Sequence, residues 1–118
     1  MKNIKIEELI KQKILVLDGA MGTFFQKLDL KVEDFGSEDY VGCYEYLVVS
    51  NPDVVTAAHE EYLAAGADII ETNTFGGTSV VLADFGLQDK VQELNREAEK
   101  LARKACDKFA TTSKPRFV

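Results

Sequence analysis

Two short runs hold the side chains that can do chemistry. The first, Asp18-Gly19-Ala20-Met21-Gly22, follows the apolar residues Ile14–Leu17. The second, Glu71-Thr72-Asn73-Thr74-Phe75-Gly76, follows Ile69 and Ile70. In both, a carboxylate stands where an apolar segment gives way to a glycine-containing turn. Asp18 can meet a cationic group there, and free N–H groups of Gly19–Gly22 can meet an anion. An amino acid carries both charges, so the turn suits one. Asp18 can equally cap a following helix while the glycines only make the turn, since Asp-Gly turns are common. In the second run, strand alternation pairs Glu71 with Asn73 and Thr72 with Thr74 on opposite sides. A satisfied hydrogen-bond network accounts for these polar residues as readily as a ligand does.

Other reactive side chains lack the company that chemistry needs. His59 stands alone in a helical stretch with no second His or Cys nearby, which points to packing or a helix surface rather than to a metal. Cys43 and Cys106, the only cysteines, form no disulfide framework and no metal-spaced pair. Cys106 flanks an apolar helical stripe and reads as packing. Cys43 lies in a loop, reads as the more exposed, and has no activating base beside it. Tyr40, Tyr44 and Tyr46 can line a pocket or anchor a loop. Gly19-Ala20-Met21-Gly22 has the wrong spacing for a dinucleotide fingerprint, and there is no P-loop or nucleophile elbow.

The elements that must position these residues follow from periodicity. Lys5–Lys13 has a helical pattern with Glu7 and Glu8 in its first turn, where they suit the helix dipole. Ile14–Leu17, a continuous apolar run, reads as a parallel strand buried on both faces. Thr23–Leu28 reads as a helix. Lys31–Val49 is irregular and reads as a loop folded over a pocket mouth. Ser50-Asn51-Pro52-Asp53 starts a helix that Gly66 ends, and Ala67–Thr72 then gives a second strand. Ser79–Phe85 makes a short helix ended by Gly86. Asp89–Phe109 has the clearest stripe, Val91, Leu94, Ala98, Leu101, Ala105 and Phe109. Arg116-Phe117-Val118 reads as the start of a third strand.

This alternation predicts an α/β fold with parallel strands and right-handed crossovers. A closed (β/α)8 barrel needs roughly 250 residues. The 118 residues therefore read as the first βα units of such a barrel, incomplete by themselves. On this reading residues 1–13 form an N-terminal helix, and residues 14–118 hold about two βα units and the start of a third strand.

Composition excludes some functions. A net charge of −6 argues against a nucleic-acid surface. No apolar run approaches the ~20 residues that span a bilayer, and Met1–Lys13 lacks the apolar centre of a signal peptide. With few cysteines, a reducing cytoplasmic location is expected.

Four stretches together resemble the homocysteine S-methyltransferase domain family. They are Leu17-Asp18-Gly19-Ala20-Met21-Gly22-Thr23; Gly42-Cys43 with Asn51-Pro52-Asp53-Val54-Val55; Ala65–Gly76; and Glu93-Leu94-Asn95-Arg96-Glu97-Ala98. The likeness runs from about Ile14 to Val118, and is greatest to the N-terminal homocysteine-binding modules of cobalamin-dependent methionine synthases. Betaine- and S-methylmethionine-dependent relatives share the module. The resemblance implies a (β/α)8 barrel holding homocysteine, with a zinc ion on three cysteines that lowers the substrate thiol's pKa. It further implies cobalamin and methyltetrahydrofolate on other modules as the methyl route. By the same resemblance, Asp18 and the backbone of Gly19, Ala20 and Met21 hold the amino-acid end of the substrate. Asn73, Thr74 and Phe75 line the pocket, and Glu71 stands at its inner rim. The family's zinc cysteines, one alone and two in a Gly-Cys-Cys run, have no match here. The 118 residues alone are therefore expected to bind no catalytic zinc and to transfer no methyl group. An alternative is a non-catalytic assembly module that docks a partner through an open sheet edge.

Overall fold

Pro52 at a first helical position and Asp53 in the first turn open the shorter of the two long core helices, α5 (Pro52–Ala64). The four short helices before it are α1 (Ile6–Leu9), α2 (Gly22–Gln26), α3 (Val32–Phe35) and α4 (Leu47–Ser50). In this computed structural model, which describes residues 4–118, α5 ends at Ala65 and Gly66, whose φ of 109° only glycine adopts freely. Asn51 does not cap α5 with its side chain; its Nδ2 donates instead to Asp34 Oδ1 at 2.9 Å. After α6 (Ser79–Leu82) and the left-handed Gly86 comes α7 (Val91–Phe109). A 3-10 turn over Gln88–Lys90 leads into it.

α5 and α7 pack on each other and run through two adjoining apolar clusters. Phe25, Phe35, Leu47, Val55, Ala58, Leu82, Leu94 and Ala98 belong to the first. Leu63, Ala67, Ile70, Ala102, Ala105 and Cys106 belong to the second. Alanines at 58, 98, 102 and 105 let the two backbones approach closely. The outer face of α7 carries exposed ion pairs, Lys100 with Glu97 at 3.0 Å and Arg103 with Glu99 at 3.6 Å, worth a few tenths of a kcal/mol each.

His59 lies wholly inside on α5, and neither ring nitrogen has a hydrogen-bond partner. Burial depresses its pKa from 6.5 to about 4, so the ring is neutral. Because the unfolded chain takes up a proton that the folded chain refuses, stability falls as the pH drops from 6.5 towards 4. The expected loss is roughly 3 kcal/mol. Urea unfolding between pH 7 and 4 is expected to show this slope, and His59→Leu to flatten it.

The expected α/β barrel units are not what the chain forms. The described residues contain helices and no sheet; extended segments meet only at two isolated parallel bridges, Leu17 with Ile69 and Ile69 with Phe117. The physical reason lies in two aspartates. A continued ladder would send the Val16 N–H to the Ala67 carbonyl and the Glu71 N–H to the Asp18 carbonyl. Instead Val16 donates to the Asp68 carboxylate at 2.9 Å, and Glu71 donates to the Asp18 carboxylate at 3.1 and 3.2 Å. The Ala67 carbonyl is taken by Arg116 Nη1 at 2.9 Å, which also holds the Leu63 carbonyl at the end of α5. Side chains thus intercept the pairing at both ends.

Ile14–Leu17 is accordingly not buried on both faces: Ile14 is 90% exposed, Val16 56% and Leu17 49%. With no sheet among the described residues, the open-edge docking reading loses its edge. The first helix is shorter than Lys5–Lys13, and residues 1–3 of the expected N-terminal helix lie outside the described residues. Lys31–Val49 is not a loose loop. It folds as α3, two 3-10 turns and the start of α4, and contributes Phe35, Cys43, Leu47 and Val48 to the core. Cys43, expected to be exposed, is fully buried; Cys106 is buried as expected. No helix among the described residues is long and apolar enough to cross a membrane.

Candidate substrate-binding site

The bridge at Leu17 and Ile69 sets the two chemical turns side by side. Its hydrogen bonds, Asp18 N–H to the Ile69 carbonyl at 2.9 Å and Ile69 N–H to the Val16 carbonyl at 3.1 Å, fix Asp18 opposite Glu71. A cavity of about 500 Å³ opens between the turns. Asp18, Gly19, Ala20 and Met21 form one wall, and Glu71, Asn73, Thr74 and Phe75 the other. The structure thus brings all eight sequence-predicted site residues to one place. Gly22 and Thr72 join them, as do Tyr44 and Glu45 from the 3-10 turn Tyr44–Tyr46.

Each turn is held from behind. Tyr62 on α5 donates its hydroxyl to the Ala20 carbonyl at 2.7 Å. A Cβ on Gly19 would stand 3.0 Å from that hydroxyl oxygen, so the glycine makes room for the clamp. No acceptor among the described residues engages the N–H groups of Gly19, Ala20 or Met21. On the other wall, Thr72 and Thr74 hydroxyls bond each other at 2.7 Å, and Asn73 donates to the Tyr44 carbonyl at 2.8 Å. The expected strand alternation, with Glu71 and Asn73 opposite Thr72 and Thr74, does not persist. The segment turns at once, through Thr74 N–H to the Thr72 carbonyl at 2.8 Å, and all four residues line the cavity. Phe75 stands at the mouth with its ring fully in solvent.

The cavity is electronegative. Asp18, Glu45 and Glu71 line it, and no lysine, arginine or histidine does. Burial pushes the Asp18 pKa up to about 6; the Glu71 N–H works against that, and the Glu71 charge adds to it. Near pH 7 Asp18 is thus a carboxylate short of a countercharge, which an ammonium group could supply. The three free N–H groups of the Gly19 turn offer a place for an anion close by.

Sequence reasoning missed Glu45, whose only signal was its position two residues after Cys43 in a motif-bearing stretch. Tyr44 was seen as an option among three tyrosines. Neither cysteine has metal-ligating company here. Both are buried, and no group of three His, Cys, Asp or Glu side chains among the described residues is placed to hold an ion. A zinc site therefore does not fit the residues present.

The profile of the homocysteine S-methyltransferase family matches residues 15–118, nearly the whole chain and both turns of the cavity. By that match the chain belongs to the homocysteine S-methyltransferase family.

Proposed function

We propose that this chain supplies the amino-acid-binding side of a site at which homocysteine is methylated, as in methionine synthases. The observation that carries the reading is the convergence of Asp18, the Gly19–Met21 turn and the Glu71–Phe75 turn on one anionic cavity in a chain of this family. Asp18 holds the ammonium of homocysteine, and the N–H groups of Gly19, Ala20 and Met21 face its carboxylate. Asn73, Thr74 and Phe75 bound the space for the rest of the ligand, with Glu71 at the rim. In the reaction the substrate thiol gives up its proton, its sulfur forms a bond to the methyl carbon of the donor while the bond from that carbon to the donor breaks and leaves its electron pair on the donor, and a thioether results.

Zinc ligands, and the cobalamin and methyltetrahydrofolate modules that bring the methyl group, belong on this reading to polypeptide outside these 118 residues. The chain alone binds substrate and transfers no methyl group. Calorimetric titration with L-homocysteine under reducing conditions is expected to show saturable 1:1 binding. Stoichiometric zinc with methyl transfer by the isolated chain would overturn the division of labour, and absence of any heat with homocysteine would overturn the substrate.

A further inference from the structure

Glu45 reaches the cavity from a segment with no sequence neighbour in either turn. Its Oε1 accepts from the Gly76 N–H at 3.0 Å, across 31 positions of chain. The adjoining Tyr44 carbonyl accepts from Asn73 Nδ2 at 2.8 Å. These two hydrogen bonds run in parallel and tie the Tyr44–Tyr46 turn to both ends of the Asn73–Gly76 turn. On the far side Asn95 of α7 donates to the Gly77 carbonyl at 2.8 Å and to the Val91 carbonyl at 2.7 Å, anchoring the turn to the helix. Space is arranged for the carboxylate. A Cβ on Gly76 would stand 2.5 Å from Glu45 Oε1, so the contact depends on glycine there.

Resting on the homocysteine reading, we propose that Glu45 is a positioning residue that sets the Asn73–Gly76 wall of the cavity for the ligand. The role needs a hydrogen-bond acceptor of this length at the Gly76 N–H. Without it the turn keeps its anchors at Asn95 and, through Asn73, at the Tyr44 carbonyl, but loses the tie at its Gly76 end. Thr74 and Phe75 then sample other positions, and the ligand must order them on binding.

The role separates from mere stability through the conservative variant. Glu45→Gln keeps an oxygen acceptor at the same reach, whereas Glu45→Ala removes it. The two are compared with the unaltered chain by homocysteine titration, thermal melting and amide exchange at Gly76 followed by NMR. Alanine is expected to speed Gly76 exchange at least tenfold and to weaken homocysteine binding about tenfold. Glutamine is expected to restore both to within about threefold. Should the alanine variant not fold, Glu45→Asp, one methylene shorter, gives the same pattern at smaller size. Unchanged Gly76 exchange in the alanine variant overturns the clamp. A glutamine variant that binds homocysteine as weakly as alanine overturns the positioning role. If the unaltered chain binds no homocysteine, the functional reading falls, and Gly76 exchange alone then decides the clamp.

Discussion

Asp68→Ala is expected to lower stability by about 3 kcal/mol, a fall of roughly 10 °C in melting temperature for a chain of this size. The Asp68 side chain is 4% exposed and accepts from the Val16 N–H at 2.9 Å, Lys114 Nζ at 3.1 Å and Lys13 Nζ at 3.2 Å. Burial by itself would raise its pKa, but the Val16 N–H and the two ammonium groups outweigh burial and hold it at about 2. Alanine leaves the Val16 N–H without its acceptor and frees three separate stretches of chain from one another. Asp68→Asn keeps one acceptor and loses the charge pairing, so about half the effect is expected. The sign with pH follows from the depressed pKa. The stabilisation is complete above the unfolded value of 3.8 and is lost as the pH falls through about 2. Chemical denaturation of the three proteins is therefore expected to show curves well apart at pH 7 that draw together towards pH 2.

Asp18→Asn is expected to act in the opposite sense on stability and strongly on binding. In the unaltered chain a partly buried carboxylate with a pKa of about 6 is held ionised near pH 7 with Glu71 beside it. A group whose folded pKa is raised loses stability as pH rises from the unfolded 3.8 through about 6. Asparagine removes that cost and still offers an oxygen to the Glu71 N–H, so melting at pH 7.5 is expected to rise modestly. Binding of homocysteine is expected to weaken roughly 30- to 100-fold, the worth of a charge-assisted hydrogen bond. Affinity of the unaltered chain is expected to increase about tenfold per pH unit up to about 6 and then level off, because only the ionised carboxylate pairs with the ammonium. The asparagine variant is expected to lack that rise. Calorimetry across pH 5 to 8 reads both, and a pH-independent affinity in the unaltered chain would remove Asp18 from the role given to it here.

The long helices were legible because their signals are local. Pro52 and Asp53 begin α5, Gly66 ends it, and the three-and-four stepping of Leu94, Ala98 and Ala105 marks the buried side of α7. The strands were misread because an apolar run carries no periodicity that separates a buried strand from an exposed extended segment. What decides between them in Ile14–Leu17 is the competition between backbone acceptors and the Asp18 and Asp68 carboxylates, which lie 53 and 52 positions away from their donors. The same distance hid part of the site. Asp18, Gly19, Asn73 and Thr74 declare themselves by residue type at the end of an apolar segment, whereas Glu45 matters only through Gly76. Lys31–Val49 looked structureless since four short turns, two of them ended or joined by Gly36 and Gly42 at φ of 83° and 89°, leave no repeating pattern.

The two thiols divide the molecule more evenly than the helices do. Cys43 belongs to the apolar cluster beneath the cavity and Cys106 to the one beneath the Leu17–Ile69–Phe117 bridges, and both are shut away from water. Burial raises both thiols, Cys106 to about 11, so neither reacts readily until its surroundings open. Each half of the protein thus has its own chemical clock. The rate at which a thiol reagent finds Cys43 reports breathing around the cavity, and the rate at which it finds Cys106 reports breathing at the junction that holds three distant stretches of the chain together.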